Sequence, residues 1–180
     1  MLRQNPSNMN SKRSISLLTQ SLLELMKSRS YKSITVSELS KHAGVVRNTF
    51  YAHFTTLEDV LVYHLFDLFA QKIQLGKTEH FHEEINLVKL YFELCWENQA
   101  FLSHLAQSDG LYLLNKMEGQ FGLLEIEGLI YENCEIDGIT QVYANTVYAN
   151  VLSAIVKKWI DRGMKETPEE LSAIFKELIK

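Results

Sequence analysis

The sequence has few of the residues that break helices or build tight turns. It contains two prolines and eight glycines in 180 residues, too few for a turn-rich all-β fold or a collagen-like chain. Its two cysteines, Cys95 and Cys134, have neither metal-binding nor redox spacing, which favours free thiols in an intracellular protein. No apolar run approaches the roughly 20 residues needed to cross a bilayer, and the N-terminus has no signal-peptide core. We therefore expect a cytoplasmic protein without a disulfide framework or a membrane anchor.

Charge is distributed unequally along the chain. Residues 1–56 contain eight lysines and arginines and two acidic residues, a net charge of +6, whereas residues 57–180 carry −10. A basic first part joined to an acidic second part suggests that the first part meets a polyanion, either nucleic acid or an anionic membrane. Chance clustering of the basic residues is the alternative.

Apolar residues recur at helical spacing through most of the chain, and no alternating pattern typical of strands is present. The predicted helices span residues 11–27, 36–42, 46–53, 57–75, 83–96, 99–107, 111–131, 139–162 and 168–179. Thr35 and Glu38 have the spacing of a capping box, as do Thr167 and Glu170. Gly44 stands where a tight turn needs positive φ. The sequence predicts an all-α fold of about nine helices.

The segment 35–54, TVSELSKHAGVVRNTFYAHF, predicts two short helices around a glycine turn within the basic part of the chain. On the second helix Val46, Phe50 and Phe54 fall on one side and form three apolar anchors. Asn48 lies opposite them, so the outer face is small and polar, as suits a helix that enters a groove. A helix-turn-helix inserts its second helix into the DNA major groove, although an ordinary αα-hairpin has the same spacing.

This segment resembles the TetR/AcrR family of bacterial transcriptional regulators, whose members follow T-[VI]-x-x-[IL]-[AS]-x-x-A-G-V-[ST]-x-x-[TS]-[FLI]-Y-x-[HY]-F. The positions that match are Thr35, Val36, Leu39, Ser40, Ala43, Gly44, Val45, Thr49, Phe50, Tyr51, His53 and Phe54. Two positions depart from the pattern. Val46 replaces the Ser or Thr that caps the recognition helix, and Leu57 replaces a Lys that often contacts phosphate.

The resemblance implies a homodimer with N-terminal DNA-binding heads and C-terminal bodies that pair and often enclose a small effector. We expect a three-helix helix-turn-helix head over residues 11–56 and a helical-bundle body over residues 57–180 for dimerisation and effector binding. Carried over by position, Thr35, Tyr51 and His53 are expected to contact phosphates, and Lys41 is expected to add positive charge elsewhere on the DNA-binding surface. Arg47, Asn48 and Thr49 are expected at base edges, because arginine can pair with guanine and asparagine with adenine.

The body shows two further patterns. The helix at 139–162 has an apolar arc too broad for one monomer's core, and the last helix adds a second apolar stripe, so we expect both to pair with their copies in a four-helix interface. The predicted interface residues are Val147, Val151, Ile155, Trp159, Leu171, Ile174, Phe175 and Leu178. The candidate effector pocket consists of His64, Tyr91, Cys95, Trp96, His104 and Tyr112, although aromatic residues at helical spacing are more often core.

No catalytic grouping, phosphate loop or metal-ligand spacing is present, so we expect neither an enzyme nor a cofactor. His80 and His82 stand two residues apart and diverge on a helix, which argues against a metal there. The functional hypothesis is a ligand-responsive repressor that binds a palindromic operator as a homodimer, with double-stranded DNA, a second copy and a small molecule as partners. The alternative is a helix-turn-helix co-regulator or activator that acts mainly through protein partners.

Overall fold

The computed structural model describes residues 9–79, 87–118 and 138–178, and within these ranges the chain forms nine α-helices, one 3₁₀ helix and no strand. The predicted all-α fold class is confirmed. The helices are α1 (Met9–Met26), α2 (Val36–His42), α3 (Arg47–His53), α4 (Leu57–Glu79), α5 (Leu87–Glu97), α6 (Gln99–Gln107), α7 (Tyr112–Glu118), α8 (Gly138–Asp161) and α9 (Pro168–Leu178), and the 3₁₀ helix is Tyr31–Ser33.

Helix α2 has the predicted bounds because both of its ends are determined locally. The Glu38 backbone N–H donates to Thr35 Oγ1 at 3.2 Å, and the Thr35 backbone N–H donates to Glu38 Oε2 at 2.9 Å, which completes the predicted capping box. At the other end Gly44 has φ +67°, a conformation that glycine adopts without steric cost. This turn directs the chain from α2 into α3.

Helix α3 is held from beneath by two of its three predicted anchors. Phe50 and Phe54 are completely buried, with ring centroids 6.0 Å apart. Val46, predicted to be the third anchor, is instead 69% exposed. It precedes the helix with an extended backbone (φ −79°, ψ 151°), so the 100° periodicity that would place it beside Phe50 does not extend to it.

Helix α4 connects the first three helices to the rest of the molecule. The Thr55 and Thr56 backbone N–H groups donate to Asp59 Oδ2 at 3.0 and 2.9 Å, and Thr56 Oγ1 accepts from the Asp59 N–H, so the predicted N-terminal cap is confirmed. The helix continues to Glu79 and not to the predicted end at residue 75. Gly76 lies inside it, since a single glycine costs a helix only about 1 kcal/mol.

The remaining helices form the body. Helix α9 packs on α5 and α8, and α8 also packs on α6 and α7, while α4 contacts α1 on one side and α5 and α7 on the other. The Thr167–Glu170 capping box that begins α9 is confirmed by bonds of 2.7 and 3.2 Å. The predicted helix at 83–96 is described from Leu87. The one at 111–131 is described as a turn at Leu111 and a helix over Tyr112–Glu118, and the other residues of both lie outside the described ranges.

Candidate nucleic-acid interface

The outer face of α3 carries the predicted base-reading residues in accessible positions. Arg47 and Asn48 are exposed, Thr49 is half-buried, and Tyr51 is exposed with its ring edge-on to Phe50 at 5.3 Å. Because the phenylalanine beneath is fully buried, this polar face rests on a fixed base. Such a face can offer amide, hydroxyl and guanidinium donors to a groove.

Arg47 and Tyr51, one helical turn apart, contact each other. The Arg47 Nη2 donates to the Tyr51 hydroxyl at 3.5 Å, and the guanidinium carbon lies 5.9 Å from the ring centroid. An arginine over an aromatic face gains a modest cation–π attraction. The contact restricts the arginine side chain on the surface where it is expected to meet a base.

Thr35, predicted to contact a phosphate, is already engaged with its capping partner. Its hydroxyl donates to Glu38 Oε2 at 2.8 Å, and Arg29 Nη2 donates to Glu38 Oε1 at 3.1 Å. The N–H and hydroxyl of Thr35, together with the Arg29 guanidinium, lower the pKa of Glu38 to about 2. A phosphate oxygen can only accept, so this hydroxyl must turn its proton away from the carboxylate in order to reach DNA. Arg29, which sequence reasoning missed, supplies the positive charge beside this carboxylate.

Lys41 and His53 lie at the ends of α2 and α3. Lys41 is exposed in the last turn of α2. His53 is half-buried against the edge of Phe54, with centroids 6.5 Å apart, and burial lowers its pKa below the ordinary value. A neutral imidazole can donate one hydrogen bond to a phosphate but does not contribute an ion pair.

The two departures from the family pattern have clear structural consequences. Val46 occupies the N-cap position of α3, and no side-chain hydrogen bond caps that end. Leu57, the first residue of α4, packs against the core and is partly buried. Neither side chain has a polar group, so neither position can donate to a phosphate through its side chain.

The candidate pocket residues do not share one environment. Tyr91 and Cys95 are buried within the core, whereas Trp96 and Tyr112 are exposed. The Trp96 ring stacks on that of Trp159 with centroids 5.7 Å apart. This stacking fixes the Trp96 indole on the outside of the core. The remaining candidates for an effector pocket are His64 and His104.

His64 lies on α4 and His104 on α6. His64 on α4 meets Phe101 on α6 edge-to-face at 5.3 Å, and His104 is half-buried one turn further along α6. Burial lowers the pKa of His64, and the nearby Asp67 opposes that shift only in part. A neutral imidazole between two helices can both donate and accept a hydrogen bond.

The residues predicted for the dimer interface divide into three groups by burial. Trp159, Leu171 and Phe175 are buried within the chain's own core, so each exposes almost no surface to a second copy. Val151 and Ile155 are half-buried and pack against that core. The exposed members are Val147, Ile174 and Leu178.

Two more exposed apolar residues extend the exposed group. Ile139 and Tyr143, which belong to the predicted apolar arc of this helix, are more than 70% exposed. With Val147 they recur every fourth residue on α8, and we name Ile139, Tyr143, Val147, Ile174 and Leu178 the apolar stripe. Side chains four positions apart on an α-helix differ by about 40° in direction around the helix axis. The direction therefore shifts towards the core from Val147 to Val151 and Ile155, and burial increases. Exposure cannot be read from periodicity alone when the whole arc is apolar.

Among the described residues no group of three or more His, Cys, Asp or Glu side chains could hold a metal ion. His80 and His82 lie outside those residues. None of the helices in the described ranges is sufficiently long and apolar to cross a membrane.

The all-helical architecture and the exposed α3 face define a helix-turn-helix regulator, and comparison with known families places the chain more closely. The model of bacterial regulatory proteins of the tetR family matches residues 18–63, and a model described as a transcriptional regulator C-terminal region of the TetR type matches residues 82–180. The second match alone covers more than half of the chain. The protein belongs to the TetR family of transcriptional regulators.

Two solved structures are similar to this chain at low sequence identity. A structure described as the dihydroxyacetone kinase operon activator DhaS is 20% identical with a TM-score of 0.51, covering 92% of this chain and 93% of that one. The fatty acid degradation regulator FadR from Bacillus halodurans is 18% identical with a TM-score of 0.46, covering 91% of each chain. No curated protein sequence matches this chain.

Proposed function

We propose that this regulator is a repressor that binds a palindromic operator as a homodimer and leaves it when a small effector binds. The observation that carries the proposal is the outer face of α3, where Arg47 and Asn48 are exposed above the buried Phe50. A recognition helix must present its polar side chains outward while its apolar side is anchored.

The proposed contacts separate into two kinds. Arg47, Asn48 and Thr49 read base edges, since arginine pairs with guanine and asparagine with adenine through two hydrogen bonds. Contacts to phosphates fix the register of the head without reading sequence. The proposed phosphate contacts are Thr35, Lys41, Tyr51 and His53, with Arg29 nearby.

Dimerisation is proposed through the apolar stripe. Five large apolar side chains exposed on two helices that pack on each other form a patch that an isolated monomer rarely leaves in water. A two-fold axis through α8 and α9 would bring each stripe against its copy. The two heads then present their α3 helices to successive major grooves, about one helical turn of DNA apart.

For the effector, we propose that it binds near His64 and His104, between α4 and α6. Both imidazoles are half-buried, and α4 leads directly to the head. A bound molecule that separates these helices would favour a head spacing that no longer fits the operator. The head comprises residues 11–56 and the body residues 57–180 in this proposal, and the protein acts in the cytoplasm on the chromosome.

A co-regulator or activator is the second candidate function. Leu57 and Val46 give the head fewer phosphate and capping contacts than the family pattern provides. The structurally similar DhaS is described as an activator. An activator of this kind would occupy DNA weakly alone and more tightly with a protein partner.

Gel-shift binding tests the proposal. The wild-type protein is incubated with the DNA upstream of its own gene and with DNA selected from a random pool, at salt concentrations from 50 to 200 mM. A repressor of this type shifts specific DNA, and its affinity falls steeply with salt because each phosphate contact releases counterions. Weak binding at every salt concentration, restored by a cellular protein, would favour the co-regulator.

Arg47→Ala and Asn48→Ala test base reading in the same assay. Each should cost about 1–3 kcal/mol on the selected operator and little on unrelated DNA, because bidentate base contacts carry the discrimination. Arg162→Ala is the matched control, since it removes an exposed arginine from the body. If both α3 variants bind the operator as the wild type does, the base-reading assignment fails.

A further inference from the structure

Glu58 lies in the first turn of α4, directly after the recognition helix, and links this turn to α7 of the body. The Tyr112 hydroxyl donates to Glu58 Oε1, and Lys116 Nζ donates to Glu58 Oε2 at 2.8 Å. Tyr112 and Lys116 are one turn apart on α7, and the Lys116 ammonium lies 5.2 Å from the tyrosine ring centroid. Both oxygens of one carboxylate are therefore held by one face of a single body helix.

A second contact lies beside the first. Tyr31, in the 3₁₀ helix of the head, is buried, and its ring lies directly against the backbone that enters α7. A Cβ atom added to Gly110 would come within 3.0 Å of Tyr31 Cε1. Next to it Lys32 Nζ lies 3.8 Å from Asp109 Oδ2.

These contacts form one surface, which we name the junction. It consists of Tyr31 and Lys32 of the head and Glu58 in the first turn of α4, which meet Asp109, Gly110, Tyr112 and Lys116 around the start of α7. The Tyr31 hydroxyl lies close to that of Tyr112. Burial, the bond to Glu58 and the Tyr31 hydroxyl together raise the pKa of Tyr112. The junction thus joins the head to the start of α7 at three neighbouring points.

The connection between α3 and α4 is suited to transmitting the position of Glu58. Phe54, directly after α3, is completely buried and meets Tyr63 of α4 edge-to-face at 6.0 Å. The N–H groups of Thr55 and Thr56 are both held by Asp59. Every residue between the two helices is therefore held by packing or hydrogen bonds, which connects α3 firmly to the first turn of α4.

From this geometry we propose that Tyr112 and Lys116 are positioning residues, which fix the angle of the recognition helix relative to the body by holding Glu58. The inference rests on the proposed function, because it concerns how the two heads of a dimer match the spacing of an operator. Exposed ion pairs contribute little to the free energy of unfolding. The junction should therefore affect the orientation of the head far more than the stability of the fold.

The first test measures the orientation directly and needs no DNA. Spin labels are attached at Ala52→Cys on α3 and Gln107→Cys on α6, both exposed positions, in a Cys95→Ala/Cys134→Ser background and diluted with unlabelled chain. The wild-type junction should give a narrow distance distribution. Tyr112→Phe/Lys116→Met should broaden it or shift its centre by several ångströms, and an unchanged distribution overturns the inference.

A matched control separates positioning from general loss of an ion pair. Lys89→Met removes a lysine that pairs with Glu169 at 2.9 Å on the far side of the body, and it should leave the distance distribution narrow. The charge-reversed pair Glu58→Lys/Lys116→Glu restores the attraction with the partners exchanged. Its distance distribution should therefore be narrower than that of Tyr112→Phe/Lys116→Met. If the charge-reversed variant is folded and its distance distribution stays broad, the Glu58–Lys116 pair does not position the head.

The second test uses operators whose half-sites are moved apart or together by one and two base pairs. The wild type should prefer one spacing by at least tenfold, whereas Tyr112→Phe/Lys116→Met should discriminate less than threefold, with Lys89→Met like the wild type. A merely structural role would weaken binding at all spacings alike and keep the preference. If the wild type binds no DNA, the proposed function fails, and the label distances still decide on the positioning role.

Discussion

Val46 stands at the N-cap of the recognition helix without supplying a cap, because a valine has no side-chain acceptor for the free N–H groups of the first turn. Val46→Ser restores an acceptor at an exposed position. We expect the free energy of unfolding to rise by about 1 kcal/mol, measured by urea denaturation. Val46→Ala is the control and should give no such gain; equal stability of the serine and alanine variants would contradict the missing cap.

Glu38 predicts a pH dependence. Its pKa is about 2 in the folded chain against 4.5 for the free side chain, so the folded state favours the carboxylate. The stabilisation is complete above about pH 4.5 and is lost as the pH falls towards 2. In urea denaturation at pH 7 and pH 3, Glu38→Gln should lose less stability on acidification than the wild type. Parallel losses would show that the carboxylate does not contribute.

The contacts of these residues show which interactions a sequence can predict. Thr35 and Glu38 stand three positions apart, so their mutual cap could be predicted from spacing. Arg29 is nine positions from Glu38, with a turn between them, and no local pattern links the two. The exposure of Val46 was missed because helical periodicity was extended one residue beyond the start of α3, where the backbone is extended.

At the scale of single elements, the loop before α7 provides a prediction. Gly110→Ala places a methyl group against Tyr31 Cε1 at 3.0 Å, Leu105 Cδ2 at 3.1 Å and the Leu105 carbonyl oxygen at 3.2 Å. These neighbours must move, and overpacking of this kind costs about 1–3 kcal/mol. Thermal unfolding should show a lower Tm for this variant. Ala106→Ser, four positions earlier on α6, is a control of similar size; an unchanged Tm for Gly110→Ala would mean that the head and the loop separate freely.

The helices themselves were predictable where their ends are encoded by short-range signals. Helices α2 and α6 have the predicted bounds, and α9 begins at its capping box as expected. Helix α4 extends past its predicted end because a single glycine such as Gly76 is only a weak stop signal for a helix. The pairing of α7 with the start of α4 depends on Glu58 and Tyr112, 54 positions apart, and no periodicity reveals such a contact.

At the scale of the whole molecule, the apolar stripe predicts the oligomeric state. Val147→Glu places a charge at a position that is 57% exposed in one chain and buried in the proposed dimer. Burying an unpaired carboxylate costs several kcal/mol, so the dimer Kd should rise roughly a hundredfold in sedimentation experiments. Gln20→Glu adds the same charge to an exposed site on α1 and should leave the Kd unchanged. A dimer that persists with Val147→Glu would place the interface elsewhere.

The separation of charge between the two parts of the chain affects how the protein meets its target. Residues 1–56 carry +6 and residues 57–180 carry −10. The two parts of the chain therefore form an electric dipole. In the field of a duplex this dipole experiences a torque that turns the positive end towards the phosphates, while the negative end is pushed away. Collisions in the wrong orientation are thereby reduced before any contact forms. The protein therefore meets DNA with its basic part directed towards the phosphates. Because salt screens this field, a higher salt concentration should lower the association rate as well as the affinity.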